Sequence, residues 1–130
     1  MKLAVPTLAL LLAIAAACAQ VPPAVQPATP RADPPGQADA VRRALEDAAA
    51  RLGVAIAALP PPRVEQVTWR DGSLGCPEPG LMYPQVLMPG YRIVVASAGS
   101  VLEYHAAERG QFLHCPAGRS VPPLPVPAGR

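Results

Sequence analysis

The sequence predicts an α+β fold: one N-terminal helix packed on a roughly four-stranded antiparallel sheet, with one disulfide and Pro-rich disordered flanks. Three observations carry this. Apolar residues recur at helical spacing over 41–52. Four β-rich runs, the last three joined by short connections, lie within 63–115. Two cysteines, Cys76 and Cys115, frame the greater part of that block.

In the helix, Val41, Leu45, Ala48 and Leu52 form one stripe. Asp39 is the expected N-cap, and Gly53 stands where a left-handed C-terminal residue belongs. Asp47 and Arg51 are spaced to pair across one turn. The stripe is narrow and half of it is Ala, so the helix must lie on a sheet to persist. Three prolines at 60–62 break the chain before the first strand, "RVEQVTW" at 63–69. The strongest strand is "YRIVVAS" at 91–97, β-branched with a Tyr. "AGS" at 98–100 turns into "VLEYHA", and "AERG" at 107–110 turns into "QFLHC" at 111–115. Two short connections in succession imply a meander, and one helix before a run of strands implies a helix covering one sheet face. The outline is like that of cystatin or PepSY domains, a likeness of topology alone.

Residues outside this block read differently. "MKLAVPTLALLLAIAAACAQ" has a Lys, an apolar run from Leu8 to Ala17, then small residues, which is the plan of a secretory signal peptide. The run is too short to serve as a membrane span, which needs about 20 apolar residues. "AIAAAC" resembles a bacterial lipobox, in which the Cys is acylated and becomes the mature N-terminus. Ala15 stands where Leu is usual, and cleavage after Ala19 is the rival reading. Lipidation of Cys18 is the favoured expectation. Ala19, rather than Asp, after the Cys favours an outer-membrane destination facing the periplasm over inner-membrane retention, with a soluble secreted or periplasmic form as the alternative. The expected organisation is therefore a signal peptide at 1–17, a lipid-anchored Pro-rich linker at 18–37, the α+β domain at 38–115 and a disordered Pro-rich tail at 116–130. At ~3.1 Å per residue the linker holds the domain tens of ångströms from its anchor. The tail contains "RSVPPLP", an Arg-x-x-Pro-x-x-Pro string of the kind that aromatic-lined grooves bind. A chain with 19 prolines forms such strings by chance, so disorder is the expectation.

The chain carries 11 basic and 9 acidic residues, a net charge of +2, and Lys2 belongs to the leader. This excludes the clustered basic face of a nucleic-acid binder. In an exported chain Cys76 and Cys115 are expected to pair. The bond closes a loop of about 40 residues and contributes ~4 kcal/mol in the chain-entropy model. It explains "WRDGSLGCPEPG" at 69–80 as a braced turn. Asp71-Gly72 ends the strand, Gly75 permits close approach or positive φ, and Pro77 and Pro79 stiffen the exit. Trp69 covers the disulfide or a sheet edge, and the Ser73 hydroxyl caps the turn.

Site chemistry is sparse. A Cys nucleophile with His105 or His114 as base lacks the Asn of papain-like sites, since the chain has none, and a disulfide would consume the thiol. Cys76, His105, His114 and Cys115 form a Cys₂His₂ set on paper, but adjacent strand residues 114 and 115 face opposite sides. His105 and His114 are expected on the surface, sharing a face across the last hairpin. Met82 and Met88 suggest packing before copper. Ser73 does not lie in a Gly-x-Ser-x-Gly elbow. No enzyme activity, cofactor or metal is expected. The apolar loop "EPGLMYPQVLMPG" at 78–90 offers Leu81, Met82, Tyr83, Val86, Leu87 and Met88 as a partner-binding surface. A small domain is short of core, which argues that these side chains instead fold back over the open sheet face.

"TWRDGSLGCPEPGLMYPQVLMPGYRIVV" with "LEYHAAERGQFLHC" resembles a family of uncharacterised bacterial secreted proteins and lipoproteins. Its pattern is Trp-x-Asp-(Gly/Ala)-Ser-Leu-Gly-Cys-Pro-x-Pro-Gly-x-x-Tyr, then Pro-Gly-Tyr, then a Tyr-His strand and a closing Cys. Here it falls on Trp69, Asp71, Ser73 to Pro77, Pro79, Gly80, Tyr83, Pro89 to Tyr91, Tyr104, His105 and Cys115. Pro84 and Leu102 depart from it. The resemblance implies an extracytoplasmic α+β domain and no activity. The function expected is that of a monomeric, non-catalytic, extracytoplasmic lipoprotein domain that binds a protein or envelope component. The alternative is a secreted cystatin-like peptidase inhibitor acting through loop 78–90.

Overall fold

A computed structural model describes residues 33–125. The expected signal peptide, Cys18 and most of the linker lie outside the described residues. So does the end of the tail.

Helix α1 spans Gln37–Leu52, followed by a 3₁₀ turn at Ile56–Ala58. Strands β1 (Arg63–Trp69), β2 (Met88–Ser97), β3 (Ser100–Ala107) and β4 (Phe112–Cys115) form one antiparallel sheet in the order β1-β2-β3-β4. The helix-on-meander expectation holds, and Cys76 is bonded to Cys115.

The helix sits one step round from the expected stripe. Ala40, Ala44, Ala48 and Ala49 are its buried residues, while Val41 and Leu45 flank the contact. Small side chains let the helix lie close to Tyr91, Ile93, Val95, Tyr104 and Ala106, which supply the bulk of the core. The two tyrosines extend polar tips past this core: Tyr91 Oη donates to the Pro35 carbonyl (2.6 Å) and Tyr104 Oη to the Asp47 carboxylate (2.9 Å). Burial and the neighbouring Asp47 charge push the Tyr104 phenol up, so it stays a donor. Arg43 lies over the Phe112 ring, 4.5 Å from its centroid.

Gly53 takes the left-handed C-cap conformation, donating to the Ala49 carbonyl, and Asp47 pairs with Arg51. The N-cap is Gly36, not Asp39. A Cβ at Gly36 would lie 2.1 Å from the Glu108 carbonyl oxygen, so the chain must enter the helix through a glycine against the sheet end. Asp39 sits in the first turn and pairs with Arg42 and Arg43 instead.

The second sheet face has its own small core of Val67, Trp69, Leu74 and Ala107, with Met88 and Leu113 beside it. Two segments close it. One is the braced loop after β1. The other is the chain after Cys115, where the expected disorder is corrected for residues 116–125. Val121 N–H donates to the Gly75 carbonyl (2.8 Å) and Leu124 N–H to the Thr68 carbonyl (2.9 Å). Arg119 pairs with Glu78. The prolines prefer extended geometry, and the N–H groups between them find acceptors on the domain.

Candidate functional site

Loop 70–87 is tied at several points. The Cys76–Cys115 bond anchors it to β4, with Cα atoms 5.8 Å apart. Gly72 N–H donates to the Pro84 carbonyl (2.9 Å), and Glu78 N–H donates to Tyr83 Oη (3.0 Å). The turn is capped by Asp71, whose carboxylate accepts the Ser73 N–H at 2.8 Å. This replaces the expected role of the Ser73 hydroxyl and makes the turn an Asx turn. Gly75 has φ +68°, and a Cβ there would lie 2.6 Å from the Trp69 ring and 2.7 Å from the Val121 carbonyl oxygen. Its hydrogen lets loop, indole and tail meet at one point.

These ties leave an apolar tip in solvent. Met82 is 97% exposed, Leu87 63%, Leu81 58% and Val86 52%. Tyr83 and Met88 are half-buried, Tyr83 as a hydrogen-bond acceptor within the loop and Met88 against the second core. The expectation that all six fold back over the open sheet face is corrected. Residues 70–77 and the tail close the part of that face around Val67 and Trp69, and the tip stays in solvent. Of the six residues named from the sequence, four form an exposed set and two hold it in place.

Beneath the tail lies a polar cluster that the sequence did not reveal. Trp69 stacks on His105 with centroids 4.3 Å apart, and its Nε1–H donates to the Ala106 carbonyl (3.1 Å). His105 is fully buried, which corrects its expected surface position. Its Nδ1 lies 2.6 Å from the Leu74 carbonyl oxygen and its Nε2 2.6 Å from Glu103 Oε1. A carbonyl and a carboxylate are both acceptors, and the buried ring bridges the two. Arg92 clamps the same carboxylate through Nε (2.9 Å) and a second guanidinium N–H (3.1 Å), and Ser120 Oγ donates to it (2.6 Å). Arg92, with Ser120 and His105, holds the Glu103 carboxyl down at about 2, against the penalty of burial.

Ser, His and Glu side chains here do not form a nucleophilic triad. The Ser120 hydroxyl is directed at Glu103 and lies 3.5 Å from His105 Nε2, while Nδ1 is spent on a backbone carbonyl. A triad needs the carboxylate on the nitrogen opposite the nucleophile. The cluster instead locks β3 to the tail. His114 does not join it: His105 is in register with Leu113, and Tyr104 with His114, so the two histidines face opposite sides of the sheet. With both domain thiols in the disulfide, the Cys₂His₂ set read from the sequence is not assembled. Among the described residues no helix is long and apolar enough to cross a membrane.

Helix, meander, one covalent brace and an exposed apolar tip define a small α+β domain with a presented loop. The chain belongs to the family described as a domain of unknown function, DUF8738, whose model matches residues 41–115. No curated protein and no solved structure matches it.

Proposed function

We propose that this protein is a non-catalytic, exported lipoprotein domain that binds a protein or other component of the cell envelope through the tip of loop 78–90. The single observation that carries the reading is the exposure of Leu81, Met82, Val86 and Leu87 on a loop braced by a disulfide. A rigid apolar tip loses little conformational freedom on binding, so its burial is available as affinity. Apolar residues gathered on one exposed loop are a binding signature, unlike scattered ones. The leader-like N-terminal sequence and Cys18 support export and lipid anchoring, and the Pro-rich segment at 21–36 suits a tether.

The test is capture from a native envelope extract with the intact protein, compared with a Leu81→Ser/Met82→Ser variant. Both residues are largely exposed, so stability should change by no more than about 0.5 kcal/mol. A partner retained by the native protein and lost by the variant supports the reading; equal capture by both contradicts it. A panel of extracellular peptidases addresses the inhibitor alternative. Inhibition at micromolar protein that disappears in the variant would replace an envelope partner with a peptidase.

A further inference from the structure

The exposed loop tip borders a second feature, the outer edge of β1. Thr68 is in register with Pro89, which has no N–H, and the Pro89 carbonyl accepts from Glu108 N–H (3.0 Å). Thr68 and Pro89 therefore form a pair that does not hydrogen-bond across β1 and β2. The Thr68 carbonyl points outward instead, where it accepts Leu124 N–H at 2.9 Å. By strand alternation the N–H and C=O groups of Gln66 and Val64 also point outward, and among the described residues they have no backbone partner. Residues 64–66 thus present an unpaired stretch of sheet edge, the kind of template that accepts another strand.

Two grooves flank this stretch. One, of about 470 Å³, is lined by Gln66, Val67, Thr68, Leu87, Pro89 and Leu124, with Pro125 at its margin. It carries no charged residue, and Leu87 makes it continuous with the loop tip. The other, of about 530 Å³, has Val41, Leu45, Ile56, Pro62 and Val64 in its apolar wall and Asp33, Arg42 and Glu46 on its polar side, so the uncharged groove beside Leu87 is the one that sets the chemistry of the occupant. The chain's own tail already seats an extended, Pro-flanked aliphatic residue, Leu124, at the end of the edge.

We infer that the partner supplies an uncharged, extended polypeptide segment that adds to β1 as a fifth strand at Val64–Gln66. An aliphatic side chain of that segment enters the groove between Leu87 and Leu124. This rests on the reading of the loop tip as a binding surface and names what that surface takes. Main-chain hydrogen bonds to the edge supply affinity, and pockets for alternate side chains supply selectivity. A second copy of this chain is disfavoured. Antiparallel pairing of two β1 strands about Gln66 sets Val64 of one opposite Thr68 of the other, and Thr68 is occupied by the tail. Pairing about Glu65 sets Val64 opposite Gln66 but brings the two Glu65 carboxylates directly opposite each other.

The probe is a set of capped peptides Ser-Gly-Thr-X-Thr-X-Thr-Gly-Ser, with X as Leu, Val or Phe, titrated into the intact oxidised protein and followed by amide NMR. The expected result is saturable binding below 1 mM for at least one peptide, with the largest shifts at Val64, Gln66 and Leu87. N-methylation of the central peptide residues should weaken it roughly tenfold, as lost backbone hydrogen bonds require. Gln66→Pro removes only an outward N–H and should do the same. Leu87→Asp, on an exposed position, is the second variant and should weaken binding at least as much. No saturable binding at 1 mM, or binding insensitive to N-methylation and to Leu87→Asp, overturns the inference. If Leu81→Ser/Met82→Ser loses the envelope partner while Gln66→Pro retains it, the loop reading stands and the added strand is refuted.

Discussion

Replacing both domain cysteines, as Cys76→Ala/Cys115→Ala, removes the one covalent tie between the loop and the sheet. The bridged residues are 39 positions apart. The chain-entropy relation assigns such a loop about 4 kcal/mol at 25 °C. Both cysteines are 2% exposed, so truncation also leaves small voids that add to the loss. Net stabilities of domains lie at about 5–15 kcal/mol, so the bridge accounts for a quarter or more of the whole. At about 4–8 °C per kcal/mol for a domain of this size, the melting temperature should fall by about 15–30 °C. Trp69 is the only Trp, fully buried and stacked on His105, so its fluorescence reports the transition without a label. Thermal melts of the oxidised native protein, the reduced native protein and the double variant are the assay. The last two should lie well below the first, with the double variant the lower of them because it also lacks the two buried sulfurs. A double variant melting within about 5 °C of the oxidised protein would refute the view that the bridge braces the fold.

Other perturbations have signs set by particular contacts. Glu103 falls from the ordinary 4.5 to about 2 through Arg92, Ser120 and His105. A carboxylate lowered by folding stabilises fully above its unfolded pKa and loses that contribution as pH drops from about 4.5 to 2. The ceiling is about 3 kcal/mol, and solvent reaching the pair reduces it to about 1–2 kcal/mol, so Glu103→Gln should flatten the acid limb of a stability–pH curve. An unchanged acid limb would count against the cluster. Gly90→Ala places a Cβ 1.9 Å from the Ala106 carbonyl oxygen across β2 and β3, so a destabilisation of about 3 kcal/mol or more is expected in urea titrations. Ending the chain after Pro116 removes the Val121 and Leu124 backbone bonds and the Ser120 contact with Glu103. A loss of about 2–3 kcal/mol and a red shift of Trp69 emission should follow; native stability and emission would show that the tail does not belong to the fold.

Much of the fold was legible because local chemistry and global packing agree. Strand 63–69 follows a triple-proline break and ends at Asp71-Gly72, and β1 has those same bounds. Gly53 stops the helix where left-handed geometry was expected. The disulfide followed from two domain cysteines in a chain with an export-like leader. The misreadings share one cause, a partner distant in sequence. Met88 to Gly90 read as loop because of Pro89, yet they pair with Val67 to Trp69, and Pro89 is tolerated because its nitrogen need not donate. His105 read as a surface residue because nothing nearby reveals that Trp69 stacks over it and the Leu74 carbonyl meets its Nδ1. The tail read as disordered from its prolines, whereas Val121 and Leu124 find acceptors about 50 residues back in the chain. With the tail and the braced loop packed at the second core, the apolar tip is left in solvent even though a small domain is short of core.

Methionine oxidation tests the central claim most directly. Met82 is 97% exposed and Met88 half-buried, so dilute peroxide should convert Met82 to its sulfoxide several times faster than Met88 in the isolated protein. Adding envelope extract should slow Met82 selectively, to a rate near that of Met88. Equal rates in the isolated protein would contradict a presented tip, and a Met82 rate unmoved by saturating extract would contradict its engagement with an envelope partner.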